Sequence, residues 1–148
     1  MRALSEINVQ KSNLNPDDHI RALPERFRSD IETLDAAFTD AMSGLSRDLW
    51  EGKFWGGSDQ AIIGYGDYTY EKSNQEVVHW FIVGLAAQKD YISVYVNAVE
   101  DGQYLPVKYS DRLGRARIGR ASVSFSKLAD IDLEALVELV ERARLLMT

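Results

Sequence analysis

The sequence contains no cysteine and only two histidines among 148 residues. No disulfide framework, zinc-thiolate centre, iron–sulfur cluster or thiol nucleophile can therefore be assembled, and a cysteine-free chain fits a reducing compartment. His19 and His79 stand sixty positions apart with no ligand or triad pattern near either. Neither a zinc site nor a Ser-His-Asp constellation follows from such spacing. Long apolar runs are also missing. The strongest, Trp80 to Ala87, is far short of the roughly 20 residues that span a bilayer, and Met1 to Asn13 lacks the apolar stretch of a secretory leader. The expectation is a cytoplasmic protein with no membrane partner.

What is present is ordinary globular material. Hydrophobic residues make up 45% and charged residues 27% of the chain, enough to close one core, and the length fits one domain. The 23 acidic residues exceed the 17 basic ones, for a net charge of −6, but the excess is uneven. Between Lys108 and Lys127 stand Lys108, Arg112, Arg115, Arg117, Arg120 and Lys127 against Asp111 alone. A basic segment in an otherwise acidic chain can bind an anion; equally, its side chains can solvate a loop and pair with carboxylates of the last helix. The acidic remainder repels phosphate backbones, which argues against nucleic acid as the partner.

The first thirteen residues show no period and read as a flexible N-terminal arm, with a single domain over 14–148. Asn15 before Pro16 has the form of a helix cap and first-turn proline, with Asp17 and Asp18 placed where the helix dipole favours them. Pro24 breaks this helix and opens a second, running to about Ser43. There Phe27, Ile31, Leu34, Phe38 and Met42 form one apolar stripe, and Gly44 supplies the stop. A short helical turn is expected over Ser46 to Glu51, then a glycine-broken segment to Ser58. From Ala61 the period becomes two. Strands are expected over about Ala61–Tyr65, Glu76–Val83, Tyr91–Asn97 and Ile118–Ser126, with tight connections at Lys72–Gln75, Gln88–Asp90 and Glu100–Gly102. Ile92, Val94 and Val96 alternate with Ser93, Tyr95 and Asn97, and Val123 and Phe125 with Ser122 and Ser124, giving a buried and a more polar sheet face. A final helix capped by Asp132 presents Leu133, Leu136, Val137, Val140, Ala143 and Leu146 or Met147 as its apolar face. These elements predict an α+β fold: an antiparallel sheet of about five strands with N- and C-terminal helices packed on one face.

Two glycine motifs fail on inspection. Gly64-Tyr65-Gly66 has Thr69 where a dinucleotide fingerprint needs its third glycine, and strand residues follow it. The pair Gly114 and Gly119 has the spacing of a phosphate loop, but Arg120 and Ala121 replace the lysine and the hydroxyl residue. Both read as tight bends or close backbone approaches. The alternating serines Ser122, Ser124 and Ser126 lack a nucleophile motif, so no catalytic constellation is found and the protein is not expected to be an enzyme. Trp55, Tyr65, Tyr68, Tyr70, Trp80, Tyr91 and Tyr95 fall on or beside strands, where most should pack. Tyrosines on the polar face can instead line a pocket, with Lys89, Arg120 and Ser122 as polar anchors for an acidic ligand.

The segments IIGYGDYTY (Ile62 to Tyr70), WFIVGLAAQKDYISVYV (Trp80 to Val96) and LGRARIGRASVSFSKLADIDLEALVELV (Leu113 to Val140) resemble the YdhG-like family, a widespread bacterial domain of unknown function. The resemblance runs from about Trp55 to Val140. It implies a frataxin-like fold and, through relatives described as iron chaperones, an alternative role in binding ferrous iron through helix carboxylates. Glu25, Asp30, Glu32, Asp35 and Asp40 lie on the long helix. Arg26 and Arg28 stand four positions from Asp30 and Glu32 and should partly neutralise them, which leaves Asp35 and Asp40 as candidate metal ligands. Lys89, Tyr95, Gly119 and Arg120 match the family pattern. Gln88 stands where relatives often carry a basic residue, and Ala121 and Ser122 where they often carry cysteine. The leading expectation is a non-catalytic binding module for a small anionic molecule or an acidic protein segment, using Lys89, Arg120, Ser122, Tyr65 and Tyr95 and no cofactor.

Overall fold

A computed structural model describes residues 8–54 and 58–148, so Trp55 of the aromatic group lies outside the described residues. Its helical parts follow local chemistry closely. Helix α1 (Pro16–Arg21) is capped by Asn15, whose side chain accepts from the Asp17 N–H at 2.8 Å, with Pro16 in the first turn. Helix α2 (Glu25–Ala41) begins after Pro24 and buries Phe27, Ile31, Leu34 and Phe38, with Met42 following; Gly44 then takes φ +88°. A short α3 (Leu105–Lys108) was not expected. The last helix, α4 (Leu133–Met147), is capped by Asp132, which accepts from the Ala135 N–H at 3.1 Å, and it buries Ala135, Leu136, Leu139, Val140 and Ala143. Among the described residues no helix is long and apolar enough to cross a membrane.

The fold is α+β, but its main sheet has seven strands where about five were expected. These are β1 (Asn8–Lys11), β2 (Arg47–Phe54), β3 (Ser58–Glu71), β4 (Val77–Ala87), β5 (Ile92–Val96), β8 (Arg117–Ile118) and β9 (Ser122–Phe125). All are antiparallel to their neighbours, in the order β1-β2-β3-β4-β5-β9-β8. A separate hairpin of β6 (Val99–Glu100) and β7 (Gln103–Tyr104) turns at Asp101-Gly102, both with positive φ.

Three expectations are corrected here. Residues 8–11, placed in the loose arm, pair with β2 as an edge strand, while residues 1–7 lie outside the described residues. The Ser46–Glu51 helical turn is instead part of β2, because Arg47 to Phe54 has a full antiparallel partner in β3, from Arg47↔Tyr65 to Phe54↔Ser58. The single strand expected over Ile118–Ser126 is a hairpin that turns at Gly119 to Ala121, so that β8 folds back along β9.

The core divides between the two faces of the sheet. On one face the stripes of α2 and α4 meet Ile63, Tyr65, Leu85, Ile92, Val94, Val96, Val123 and Phe125 in a single buried cluster. On the other, a smaller cluster of Trp50, Ile62, Phe81 and Ala86 is flanked by half-buried Trp80 and Tyr95. Gly64 and Gly84 are register partners beneath these rings. A Cβ at Gly64 would stand 2.5 Å from Trp50 Nε1, and one at Gly84 2.5 Å from Phe81 Cε1, so the rings rest on bare backbone. Beyond Gly66 (φ +70°) the β3–β4 ladder continues as a ribbon past the last pairs made by β2 and β5. Trp50 meets His79, Trp80 and Phe81 of that ribbon edge-on, with ring centroids 5.2 to 5.9 Å apart. The ribbon thereby walls one side of the face left open by the helices.

Candidate functional site

Strand alternation gives this open face its chemistry. With Ile92, Val94, Val96, Val123 and Phe125 committed to the helix side, Ser93, Tyr95, Ser122 and Ser124 must emerge on the other. The register pairs Ser93 with Ser124 and Tyr95 with Ser122, and the Ser93 and Ser124 hydroxyls bond each other at 2.9 Å. They form the floor of a pocket of about 550 Å³. Trp80 and Phe81 of the ribbon, Tyr91, Tyr95 and Tyr104 of the β6–β7 hairpin supply aromatic walls, and Asn97 and Arg120 complete the lining.

Tyr95 is fixed by Gln88, which donates to its hydroxyl at 3.0 Å and to Gln60 Oε1 at 2.7 Å. Burial pushes the Tyr95 phenol above its ordinary value, against hydrogen bonds from Ser93 and Gln88, so it stays a neutral hydroxyl. The Arg120 guanidinium lies 5.5 Å from the centroid of the Tyr104 ring. No histidine, carboxylate, cysteine or lysine lines the pocket among the described residues. Arg120 is its one formal charge, and no side chain in the lining could act as a general base near neutral pH.

The basic segment separates into two groups. Lys108 pairs with Glu100 at 3.1 Å and Asp101 at 2.9 Å, and Arg112 pairs with Glu138 of α4. These follow the structural alternative of loop charges tied to nearby carboxylates. Among the described residues Arg115, Arg117, Arg120 and Lys127 have no such ion pair.

Of the five residues expected to bind an anion, the structure brings together Arg120, Ser122 and Tyr95. Lys89 is not among them. It sits exposed in the β4–β5 connection, where its carbonyl accepts a hydrogen bond from Arg26. Tyr65 lies on the opposite face: its ring meets Phe38 edge-on at 5.7 Å, and its hydroxyl donates to Asp35 Oδ1 at 2.6 Å. Burial and the Asp35 carboxylate raise the Tyr65 phenol well above its usual range. The spacing of Tyr65 in β3 shows that it alternates; only the packing of α2 decides which face is inside. Sequence reasoning did not assign Gln88, Ser93, Asn97 or Tyr104 to a site. The period-two pattern over 91–97 could have indicated Ser93 and Asn97, whereas Tyr104 arrives from a hairpin that no period announces.

The expected metal ligands are likewise separated by packing. Asp35 is held by Arg47, which reaches it from β2 with Nε to Oδ1 at 3.0 Å and Nη2 to Oδ2 at 2.8 Å, in addition to Tyr65. Arg47 Nη2 also meets Asp17 at 2.8 Å, and these carboxylates hold its guanidinium charged. Asp40 is exposed. The expected screening by helix arginines also differs: Arg26 and Arg28 donate to the backbone carbonyls of Lys89 and Leu23, and Asp30 caps the Leu128 N–H at 2.9 Å. Among the described residues no group of three or more histidine, cysteine, aspartate or glutamate side chains is placed to hold a metal ion.

No protein-family model, no curated protein and no solved structure matches the chain. The YdhG-like resemblance therefore rests on the three sequence segments quoted above.

Proposed function

We propose that this chain is a non-catalytic binding module whose open-face pocket takes a small organic anion with a planar, apolar body. The observation that carries this reading is the pocket lining itself: aromatic walls, a hydroxyl floor and one arginine without a carboxylate partner among the described residues. Walls of this kind desolvate and stack a ring, and a guanidinium with its positive charge unneutralised fixes the acidic end. The volume of about 550 Å³ suits a small molecule. A YdhG-like, frataxin-like domain remains the family reading suggested by the three segments.

The test is a thermal-shift panel of aromatic carboxylates, phosphates and nucleotides, with anaerobic ferrous iron as a further arm. A ligand at a hundredfold excess over its Kd stabilises the native state by about 2.7 kcal/mol, about 5 to 10 °C for a domain of this size. The expected result is a shift with an aromatic anion that Arg120→Ala abolishes and Lys89→Ala preserves. A panel without any shift, a shift with iron alone, or an anion shift that survives Arg120→Ala would overturn the reading.

A further inference from the structure

The pocket does not end at its serine floor. A second cleft of about 250 Å³ adjoins it, and Tyr91 and Ser124 line both. The cleft is bordered by Arg115 and Arg117, with Ser126 and Asp130 beside them. Arg117 lies over the Tyr91 ring, 5.6 Å from its centroid, much as Arg120 lies over Tyr104 at the other end. The two guanidinium groups are therefore carried on rings and not on carboxylates, an arrangement that leaves their charge available to an incoming anion. Asp130 is the one carboxylate in the cleft lining. Its backbone carbonyl accepts the Arg115 N–H at 2.8 Å, and among the described residues no ion pair ties its side chain to either arginine. The cleft thus holds two positive charges against one negative.

The sheet register ties the cleft to the pocket floor. Arg117 pairs with Ser124, and Ser124 with Ser93, so one row crosses β8, β9 and β5 from the cleft to the pocket floor. At about 4.8 Å between neighbouring strands the row is about 10 Å long. Arg120 lies beyond the neighbouring row, Tyr95 to Ser122, in the turn that closes the same hairpin. Arg117 and Arg120 stand three residues apart in this hairpin, at most about 11 Å between their backbones, so a single ligand lying along it can meet a cation at each end with its ring between them.

Resting on the pocket reading above, we propose that the ligand is an aromatic ring bearing two acidic groups: the first meets Arg120 and the second, of phosphate type, seats between Arg115 and Arg117. Guanidinium forks with the Ser124 and Ser126 hydroxyls nearby provide several donors converging on one group, the requirement of a tetrahedral oxyanion.

Calorimetry with three kinds of probe tests this: benzoate, phenyl phosphate, and a series of phenyl phosphates carrying a para carboxylate on zero, one or two methylenes. At least one member of the series is expected to bind about tenfold or more tightly than either benzoate or phenyl phosphate, the gain of an added charge-assisted hydrogen bond. The double variant Arg115→Gln, Arg117→Gln should lose that gain and bind benzoate as the wild type does. Both side chains are exposed, and an unchanged melting temperature serves as the folding control. If no member of the series outperforms both benzoate and phenyl phosphate, or if the double variant retains the gain, the second seat is wrong. The pocket reading would still stand provided benzoate binding is lost in Arg120→Ala; benzoate binding that ignores Arg120 overturns both.

Discussion

Replacing Asp35 by asparagine should weaken the fold sharply, although the position lies on the outward-charged side of a helix pattern. The wild-type carboxylate accepts two bonds from Arg47 and one from Tyr65, and its side chain is 15% exposed against 22% for Arg47. Asparagine keeps one carbonyl oxygen, which can accept at most two of the three donors, and turns an amide N–H₂ toward a guanidinium. One charge-assisted bond and the ionic component of the others are lost, at about 1.5 to 3 kcal/mol for each bond to a charged group. Asp17 stays close to Arg47 and partly compensates. The expected loss is about 2 to 4 kcal/mol, or about 5 to 12 °C in melting temperature, which leaves most domains folded but weakened. Urea unfolding should show a lower midpoint with an unchanged slope. A double-mutant cycle with Arg47→Met should return a coupling of about 1.5 kcal/mol or more. The control is Asp40→Asn on the same helix, exposed, with an expected change within about 0.5 kcal/mol. If Asp35→Asn and Asp40→Asn unfolded at the same urea concentration, the argument that packing distinguishes these two carboxylates would fail.

Two further perturbations address the open face and the charged hairpin. In Gly84→Ala the new methyl group would stand 2.5 Å from Phe81 Cε1 and 2.8 Å from Ile62 Cγ2, both buried. Thermal unfolding should report an overpacking loss of about 1 to 3 kcal/mol, and a wild-type melting curve would contradict the close ring-to-backbone contact. The Glu100 carboxyl is held at about 2, from an ordinary 4.5, by hydrogen bonds first from Arg142 and then from Lys108. A depressed carboxyl stabilises the native state fully above its unfolded value and loses that contribution as pH falls through its folded one. The stability difference between wild type and Glu100→Gln, measured by urea midpoints, should therefore be constant above about pH 5 and close between 4.5 and 2. A gap that widened in acid would reverse the sign of the argument.

Helices α1, α2 and α4 were legible because their signals are local. Asn15 and Asp132 cap through side chains two or three residues from their partners, and the stripes from Phe27 to Met42 and from Leu136 to Ala143 repeat within a few turns. The polar face of β5 and β9 was legible for the same reason, since alternation is a property of each strand alone. The strand from Arg47 to Phe54 was not. It carries Gly52 and four charges, with no β-branched residue, and its extended form depends on a ladder to β3 and on the ring of Trp50 settling over Gly64. Lys89 and Arg120 looked equivalent as cations near strand ends. Lys89 falls in the tight β4–β5 connection, whereas the fold-back of β8 on β9 carries Arg120 over Tyr104 at the pocket wall.

The sequence by itself determined the α+β composition, the starts of the capped helices, the two-faced strands and the concentration of basic residues between Lys108 and Lys127, because capping, periodicity and local charge depend on neighbours a few residues away. Tertiary structure alone decided which sheet face the helices would cover. That choice placed Tyr65 against Asp35 on the inside and left Tyr95, Ser122 and Arg120 around a pocket on the outside. It also joined Asp35 to an arginine twelve positions away, between elements whose separate patterns carry no trace of each other. The physical reason is that packing energy depends on surfaces brought together across long loops, and a one-dimensional period carries no information about which surface will be met.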